Sequence, residues 1–406
     1  MTDSPHIRGG SGHQHALEGV RVLDVTQFMA GPFCSTILAD LGADVIKIEP
    51  PSGDSTRQMV GASGSESPSF NAVNRGKRSL VVNLKHADGQ QLFKRIAQSS
   101  DILIENYRPG VMQAFGLGYD TLAAINPRLI YTSISGYGQT GPNRAKGGFD
   151  LIAQGVSGIM SVTGEPGRPP AKAGIPLTDL GAALFAVAGV LAALHHRTAS
   201  GVGQYIDTSL VEAGIALSVW EATEYFSGPG VPAPLGSAHR MNAPYQAIRC
   251  ADGYVTIGAN TDRLFERLCS VLGHPEWSRA PDFVNNASRV RNRVKLASLI
   301  ESVMLQQPCQ HWLSMLDAAE IPCGPINDYA QVFSDPQVAA RGMVLETDHP
   351  VLGRLRTLGS PIKMSATPAD PSRRAPLLGE HTDEILTEFG LSTTEIRALR
   401  RSGVVG

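Results

Sequence analysis

The chain is poor in cysteine, nearly balanced in charge and without an apolar run of membrane-spanning length. Five cysteines stand singly at Cys34, Cys250, Cys269, Cys309 and Cys323 among 406 residues. Their number is odd and no C-x-x-C occurs, which argues against a disulfide framework or a zinc site and for a reducing, cytoplasmic setting. Lys plus Arg is 35 against 37 for Asp plus Glu, a net charge of −2. That is too little for a protein held to nucleic acid or an anionic membrane by bulk charge. The longest apolar run, Leu180 to Leu194, has fifteen residues, where a bilayer span needs about twenty. Residues 1–16 have no apolar centre, so no signal peptide is expected there. They read as a disordered tail whose three histidines are too sparse for a metal site. The G-x-G-x-x-G loop of dinucleotide enzymes and the G-x-S-x-G elbow of hydrolases are both missing. Only Gly31 stands in the turn after the first strand.

What is present is an alternation of strand and helix. Residues 20–25, 44–49, 78–84, 101–107 and 128–138 are β-type runs, and helical spacing fills the intervals at 31–42, 87–100 and 119–125. This predicts a doubly wound, Rossmann-like parallel sheet. A loop at 138–148 and helices at 149–160 and 179–198 follow. The second of these is apolar on every side, which predicts a fully buried helix. Residues 203–210 read as a further strand entering a helix that runs to about Phe226. The expected domains are 17–226 as a large domain, 227–325 as a smaller α/β domain, 326–375 as an irregular linker and 376–406 as a helical return to the large domain. Residues 227–236, rich in Pro and Gly, mark the first boundary.

Asp179 is the sharpest candidate for chemistry. It stands in Ile-Pro-Leu-Thr-Asp-Leu-Gly, where an extended segment enters the apolar helix. Free backbone N–H groups and the positive helix end would keep such a carboxylate ionised, as an acyl-transfer nucleophile requires. An Asp in a first helical turn is also an ordinary feature, and Thr178 is a candidate N-cap. The pair His195 and His196 at the far end reads as favourable charge at a helix C-terminus.

The motifs LEGVRVLD, AGPF, LADLGADVIKIEPP, NRGKRSLVVNLK, ENYRPG, SISGYGQTGP, PLTDLGAALFAVAGVLAAL, GQYIDTSL, IPCGPIN and PLLGEHTDEIL occur in this order. Over residues 17–404 the sequence resembles the family III CoA-transferases, the formyl-CoA-transferase-like or CaiB/BaiF family. Its pattern is similar above all to the branch that moves CoA from succinyl-CoA to dicarboxylic acids such as glutarate. The resemblance implies a large and a small α/β domain joined by long linkers in an interlocked homodimer. It implies an acyl-CoA and a carboxylic acid as substrates, no permanently bound cofactor, no metal, no nucleic acid and no membrane. It implies that Asp179 is the nucleophile of a ping-pong acyl transfer through an aspartyl anhydride and an aspartyl-CoA thioester. Residue by residue it places CoA against Ala30, Lys85, Asn106 and Tyr107, with Arg108 and Lys146 as nearby cations. Gly236 and His239, in Leu-Gly-Ser-Ala-His-Arg, match an active-site loop.

Departures narrow the reading. Met29 stands where the formyl-CoA enzymes carry Gln, Pro50 replaces a basic residue, and the 235–240 loop has no glycine run. These point away from formyl and oxalyl transfer. The racemase branch of the family uses a histidine where this chain has Phe149, in Gly148-Phe149-Asp150, and Phe can neither give nor take a proton. That favours transfer over an α-methylacyl-CoA racemase. A CoA-binding protein without turnover is the remaining alternative. A dicarboxylate needs a cation for its second carboxylate, for which Arg57, Arg240 and His239 are the candidates.

Overall fold

The computed structural model describes residues 15–59, 61, 66–228 and 230–406. The chain runs β1 (Arg21–Asp24), α1 (Ala30–Asp40), β2 (Asp44–Glu49), α2 (Pro68–Asn74), β3 (Arg78–Val81), α3 (Ala87–Ala97), β4 (Ile102–Glu105), α4 (Val111–Ala114), α5 (Tyr119–Ile125) and β5 (Ile130–Ser135). Then come α6 (Asp150–Val156), α7 (Ile159–Val162), α8 (Leu177–Ser200), β6 (Tyr205–Ser209), α9 (Leu210–Leu217) and α10 (Val219–Ser227). The central part holds β7 (Tyr245–Arg249), β8 (Tyr254–Gly258), α11 (Asp262–Val271), α12 (Asn286–Arg291), α13 (Arg293–Met304), α14 (Cys309–Ala318) and β9 (Cys323–Pro325). The last part is α15 (Tyr329–Ser334), α16 (Pro336–Ala340), β10 (Val344–His349), β11 (Gly353–Leu358), α17 (Thr382–Glu388) and α18 (Thr393–Arg401). Two compact units result: residues 1–159, 173–222 and 336–406, and residues 160–172 with 223–335.

The first unit is built on one parallel sheet of order β3-β2-β1-β4-β5-β6, with every pair in parallel register. The order reverses between β1 and β4, and loops at the carboxyl ends of those strands form the crevice where α/β sheets hold ligands. Alternate side chains feed two cores. Leu23, Ile46, Leu80 and Leu103 pack with Phe93 and Ile96 of α3 and Ile385 of α17. Val22, Val45, Ile102 and Ile130 pack with Leu38 of α1 and with Ala182, Ala186 and Val190 of α8.

Helix α8 departs from the sequence expectation. It has the length and apolarity of a membrane span, but within this chain only one face is covered. Gly181, Ala182, Ala183, Ala186 and Val190 are buried, whereas Leu184 is 55 % and Phe185 43 % exposed. Small residues let the helix lie close on β5 and α1, so the large ones point outward.

The segment expected to be irregular is also ordered. It contains α15, α16 and the antiparallel hairpin β10–β11, whose six registered pairs run from Val344–Leu358 to His349–Gly353. Its charged, weakly alternating sequence hides the strands. Beyond the hairpin, the Asp370 N–H bonds Asp40 O at 2.8 Å and the Gly76 N–H bonds Arg374 O at 3.0 Å, so the chain is stitched to the first unit before residue 376. Of the tail expected at 1–16, residues 1–14 lie outside the described residues, while His15 Nδ1 already contacts Pro368 O at 3.1 Å. The second unit holds the antiparallel sheet β7-β8-β9 under a core of Phe265, Leu268, Ile300 and Trp312.

Candidate active site

The turn after β1 is built on buried charge where a dinucleotide enzyme would have glycines. Asp24, wholly buried, accepts from the Thr26 N–H at 2.9 Å, the Thr26 hydroxyl at 2.5 Å, Ser35 Oγ at 2.6 Å and Lys77 Nζ at 2.8 Å. Burial opposes its charge, but Lys77 and Lys47 outweigh burial and hold its carboxyl far below the usual range. Lys47 Nζ donates to Thr26 O at 2.7 Å and to Asp54 at 2.9 Å. Gly31 is required by contact: a Cβ there would stand 2.3 Å from the Thr26 side chain. Ala30 is buried in the first turn of α1.

Asn106 does a job that its sequence does not disclose. Its Oδ1 accepts the Gln27 N–H at 2.8 Å and its Nδ2 donates to Gln27 O at 2.7 Å. The carboxamide therefore staples the β4 loop to the β1 loop across the point where the strand order reverses. Tyr107 packs against the first core. The β5 loop lies alongside. Gly136 and Gly148 pass so closely that a Cβ on Gly136 would meet Gly148 Cα at 2.7 Å, and one on Gly147 would meet Arg108 Nη2 at 3.2 Å. Arg108 and neighbouring Lys146 are exposed, and neither side chain makes an ion pair with a described residue.

Asp179 sits in the first turn of α8, which runs back across the sheet and so begins at the same carboxyl edge. Thr178 is not the N-cap. Pro176 holds that position without a side-chain bond, and the capping comes from Asp150 of α6. Asp150 Oδ1 accepts the Thr178 N–H at 3.0 Å and its hydroxyl at 2.8 Å, while Oδ2 accepts Gln154 Nε2 at 2.8 Å. The helix end was expected to keep Asp179 readily ionised. Instead burial, reinforced by the Asp150 charge, pushes its carboxyl up to about 6. Burial outweighs the half-charge of the helix end, yet the group is still mostly ionised at pH 7.

The structure thus brings Ala30, Asn106, Tyr107, Arg108, Lys146 and Asp179 to one edge of one sheet. Lys85 follows β3, the edge strand, two strands from β1, and its side chain is exposed. Gly236 and His239 belong to the second unit. There the Gly236 N–H bonds Gly164 O at 2.9 Å, and His239 Nδ1 accepts the Met241 N–H at 3.1 Å. Arg240 pairs with Glu224 at 3.2 Å and donates to Ala233 O. Arg57 is corrected outright as a candidate reader of a carboxylate substrate. It is 1 % exposed, grips Glu49 and Glu66 with pairs at 2.7–2.8 Å, donates to Pro376 O and stacks on Phe70 at 3.6 Å. Sequence reasoning missed Asp150 as a capping residue, because a cap supplied from 28 residues away leaves no local signature. Among the described residues no group of three His, Cys, Asp or Glu is placed to hold a metal ion.

The fold is a doubly wound α/β sheet with a desolvated carboxylate at its ligand edge, and comparison with known proteins gives its family. Residues 17–382 match the profile described as CoA-transferase family III. The chain is 38 % identical to the human succinyl-CoA:glutarate CoA-transferase over 374 residues, covering 92 % of this chain and 85 % of the relative. It is 40 % identical to the Acetobacter aceti acetyl-CoA:oxalate CoA-transferase over 381 residues, covering 92 % and 95 %. The crystal structure of a CaiB/BaiF family protein from Brucella suis aligns with a TM-score of 0.81 at 37 % identity, covering 93 % of this chain and all of that one. The chain belongs to CoA-transferase family III, enzymes that take acyl-CoA as substrate.

Proposed function

We propose that this enzyme moves CoA from succinyl-CoA to a free dicarboxylic acid through covalent intermediates on Asp179. The observation that carries the reading is a half-buried carboxylate with no hydrogen bond to a described residue, at the sheet edge where Asn106, Arg108 and Lys146 converge. Asp179 attacks the thioester carbonyl, giving a mixed anhydride and CoA thiolate. The thiolate attacks the aspartyl carbonyl, the first acid leaves as its carboxylate, and an aspartyl-CoA thioester remains. The acceptor carboxylate attacks that thioester, expelling the thiolate and forming a second anhydride. Attack of the thiolate on its acyl carbonyl releases the new acyl-CoA and frees Asp179. Nucleophile and leaving group are a carboxylate or a thiolate in every step, so no proton is consumed. Holding CoA by its remote phosphates at Arg108 and Lys146 lets binding energy orient the thioester. Water must stay out, because anhydrides hydrolyse.

The acceptor class rests on the relatives, whose named acceptors, glutarate and oxalate, are both dicarboxylates. A panel of acids offered with succinyl-CoA or acetyl-CoA, read by mass spectrometry of the CoA products, tests it. Glutarate and other C4 to C6 dicarboxylates are expected to react with succinyl-CoA. Turnover of monocarboxylates alone would refute the acceptor class, and oxalate turnover with acetyl-CoA would move the donor.

The pH profile tests the role of Asp150. Because Asp179 must be ionised to attack, kcat/KM is expected to fall as pH drops through about 6. Asp150→Asn keeps the oxygen that caps α8 but removes the charge, so the acidic limb is expected to move to lower pH. A limb that stays put would show that the Asp150 charge does not set the nucleophile.

The exposed apolar face of unit 1 supports an interlocked homodimer. Leu151, Ile152, Leu184, Phe185, Ile215 and Leu217 are each 43–55 % exposed, a larger set than scattered surface residues account for. Sedimentation is expected to give twice the chain mass of 43.1 kDa. An active monomer would contradict this assembly.

A further inference from the structure

Glu105 ends β4 directly before the loop that carries Asn106, Tyr107 and Arg108, and it is 4 % exposed. The other buried carboxylates among the described residues are paired: Asp24 with Lys77 at 2.8 Å, Asp54 with Lys47 at 2.9 Å, Glu49 and Glu66 with Arg57 at 2.8 and 2.7 Å, Asp40 with Arg75 at 2.6 Å. Glu105 makes no such pair among the described residues. One oxygen accepts the Ser133 hydroxyl, and the other accepts the Tyr107 N–H at 2.8 Å. Ser133 Oγ in turn accepts the Tyr205 hydroxyl at 3.0 Å.

The surroundings supply no unspent positive charge. From β5 come Ser133 and Tyr131, and from β6 come Tyr205 and the carboxylate Asp207. From α5, Tyr119 packs on Tyr131 and Tyr205 at 6.0 and 5.2 Å. On the β1 side stands Asp24, already matched to Lys77, and the field of Lys47 reaches Tyr107 but is spent on Asp54. Burial, with Asp207 adding to it against the bonds from Ser133 and Tyr107, pushes the Glu105 carboxyl up to about 7. The carboxyl is therefore held well above the ordinary glutamate range before anything binds.

We propose that Glu105 is a positioning residue that takes up one proton from solvent when polyanionic acyl-CoA docks on the loop it anchors. The inference rests on the CoA edge assigned above. Phosphates laid over the Asn106–Arg108 loop add negative charge beside a carboxylate without a cation, and the cheapest response is neutralisation. The new carboxylic O–H donates to Ser133 Oγ, the Ser133 hydroxyl reverses to donate to Tyr205 Oη, the part-buried Tyr205 O–H turns away from Ser133, and the Tyr107 N–H keeps its acceptor. The loop stays anchored while its buried charge disappears. By linkage, CoA then binds more tightly at lower pH.

Isothermal titration of the wild type with free coenzyme A, at pH 7.5 in HEPES and in Tris, counts the protons taken up. Uptake of a substantial fraction of a proton, short of one whole proton per CoA, is expected in the wild type, with affinity weakening by up to tenfold per unit from pH 7 to 8.5. In Glu105→Gln, whose amide reproduces the neutral hydrogen bonds, this uptake and this slope are expected to vanish while affinity at pH 7.5 rises. No uptake in the wild type, or equal uptake in both proteins, overturns the proposal and leaves the CoA edge intact. No CoA binding at any pH overturns both. If the variant does not fold, infrared spectra of wild type labelled with 13C-glutamate decide. A protonated glutamic acid band that grows on adding CoA supports the proposal, and its absence refutes it.

Discussion

Replacing Asp179 with alanine is expected to lower transfer by about 10⁴-fold or more while CoA binding and the fold persist. Removing a covalent nucleophile costs effects of that order, because no neighbour can take its place. The fold persists because Asp150, not Asp179, satisfies the α8 terminus. Stability is expected to rise. The folded protein holds Asp179 at about 6, above its ordinary value of 3.8, so ionisation at neutral pH works against folding. Asp179→Asn is therefore expected to melt above the wild type at pH 7, with the gap closing as pH falls from about 6 towards 4. Brief exposure of the wild type to succinyl-CoA followed by hydroxylamine is expected to leave a hydroxamate on Asp179, found by mass spectrometry. A label on another residue, with Asp179 clean, ends the covalent mechanism.

Arg57→Ala is expected to destabilise the first unit by about 3–5 kcal/mol, the usual cost of stranding buried carboxylates. Glu49 and Glu66 both lose their guanidinium, and Phe70 loses its stacked cation. Melting of the folded enzyme is expected to drop by several degrees, whereas KM for the acceptor acid measured at low temperature is expected to hold. A steep rise in KM at unchanged stability would instead make Arg57 a reader of the substrate.

The parallel sheet was legible because each strand is a short apolar run bounded by a helical stretch, and a doubly wound sheet follows from that alternation. The hairpin at 344–358 was not legible. Its strands, VLETDH and GRLRTL, put Glu346, Asp348, Arg354 and Arg356 on one face and only Leu345 and Leu355, with Thr347 and Thr357, on the other, too few apolar residues for an alternation to stand out. Asp179 stood out from its place between an extended segment and an apolar helix, but the sign of its pKa shift did not. A sequence shows a helix end and cannot show that a second carboxylate caps it from another helix. Asn106 was picked out by the family resemblance of its Asn-Tyr pair, whereas its reciprocal bonds to Gln27 needed the strand order. Arg57 failed as a substrate reader because its carboxylate partners converge only when the chain folds.

The bonds between Asn106 and the Gln27 backbone have a kinetic consequence. Two loops from opposite sides of the sheet's turning point share one fastening, so neither opens alone. The Gln27 amide can exchange its hydrogen with solvent only when the β1 and β4 ends part, which also disturbs the core beneath them. That edge is therefore expected to open with the core beneath it rather than as a mobile rim, and CoA docking there, as proposed, would meet a surface whose ordering entropy was spent during folding.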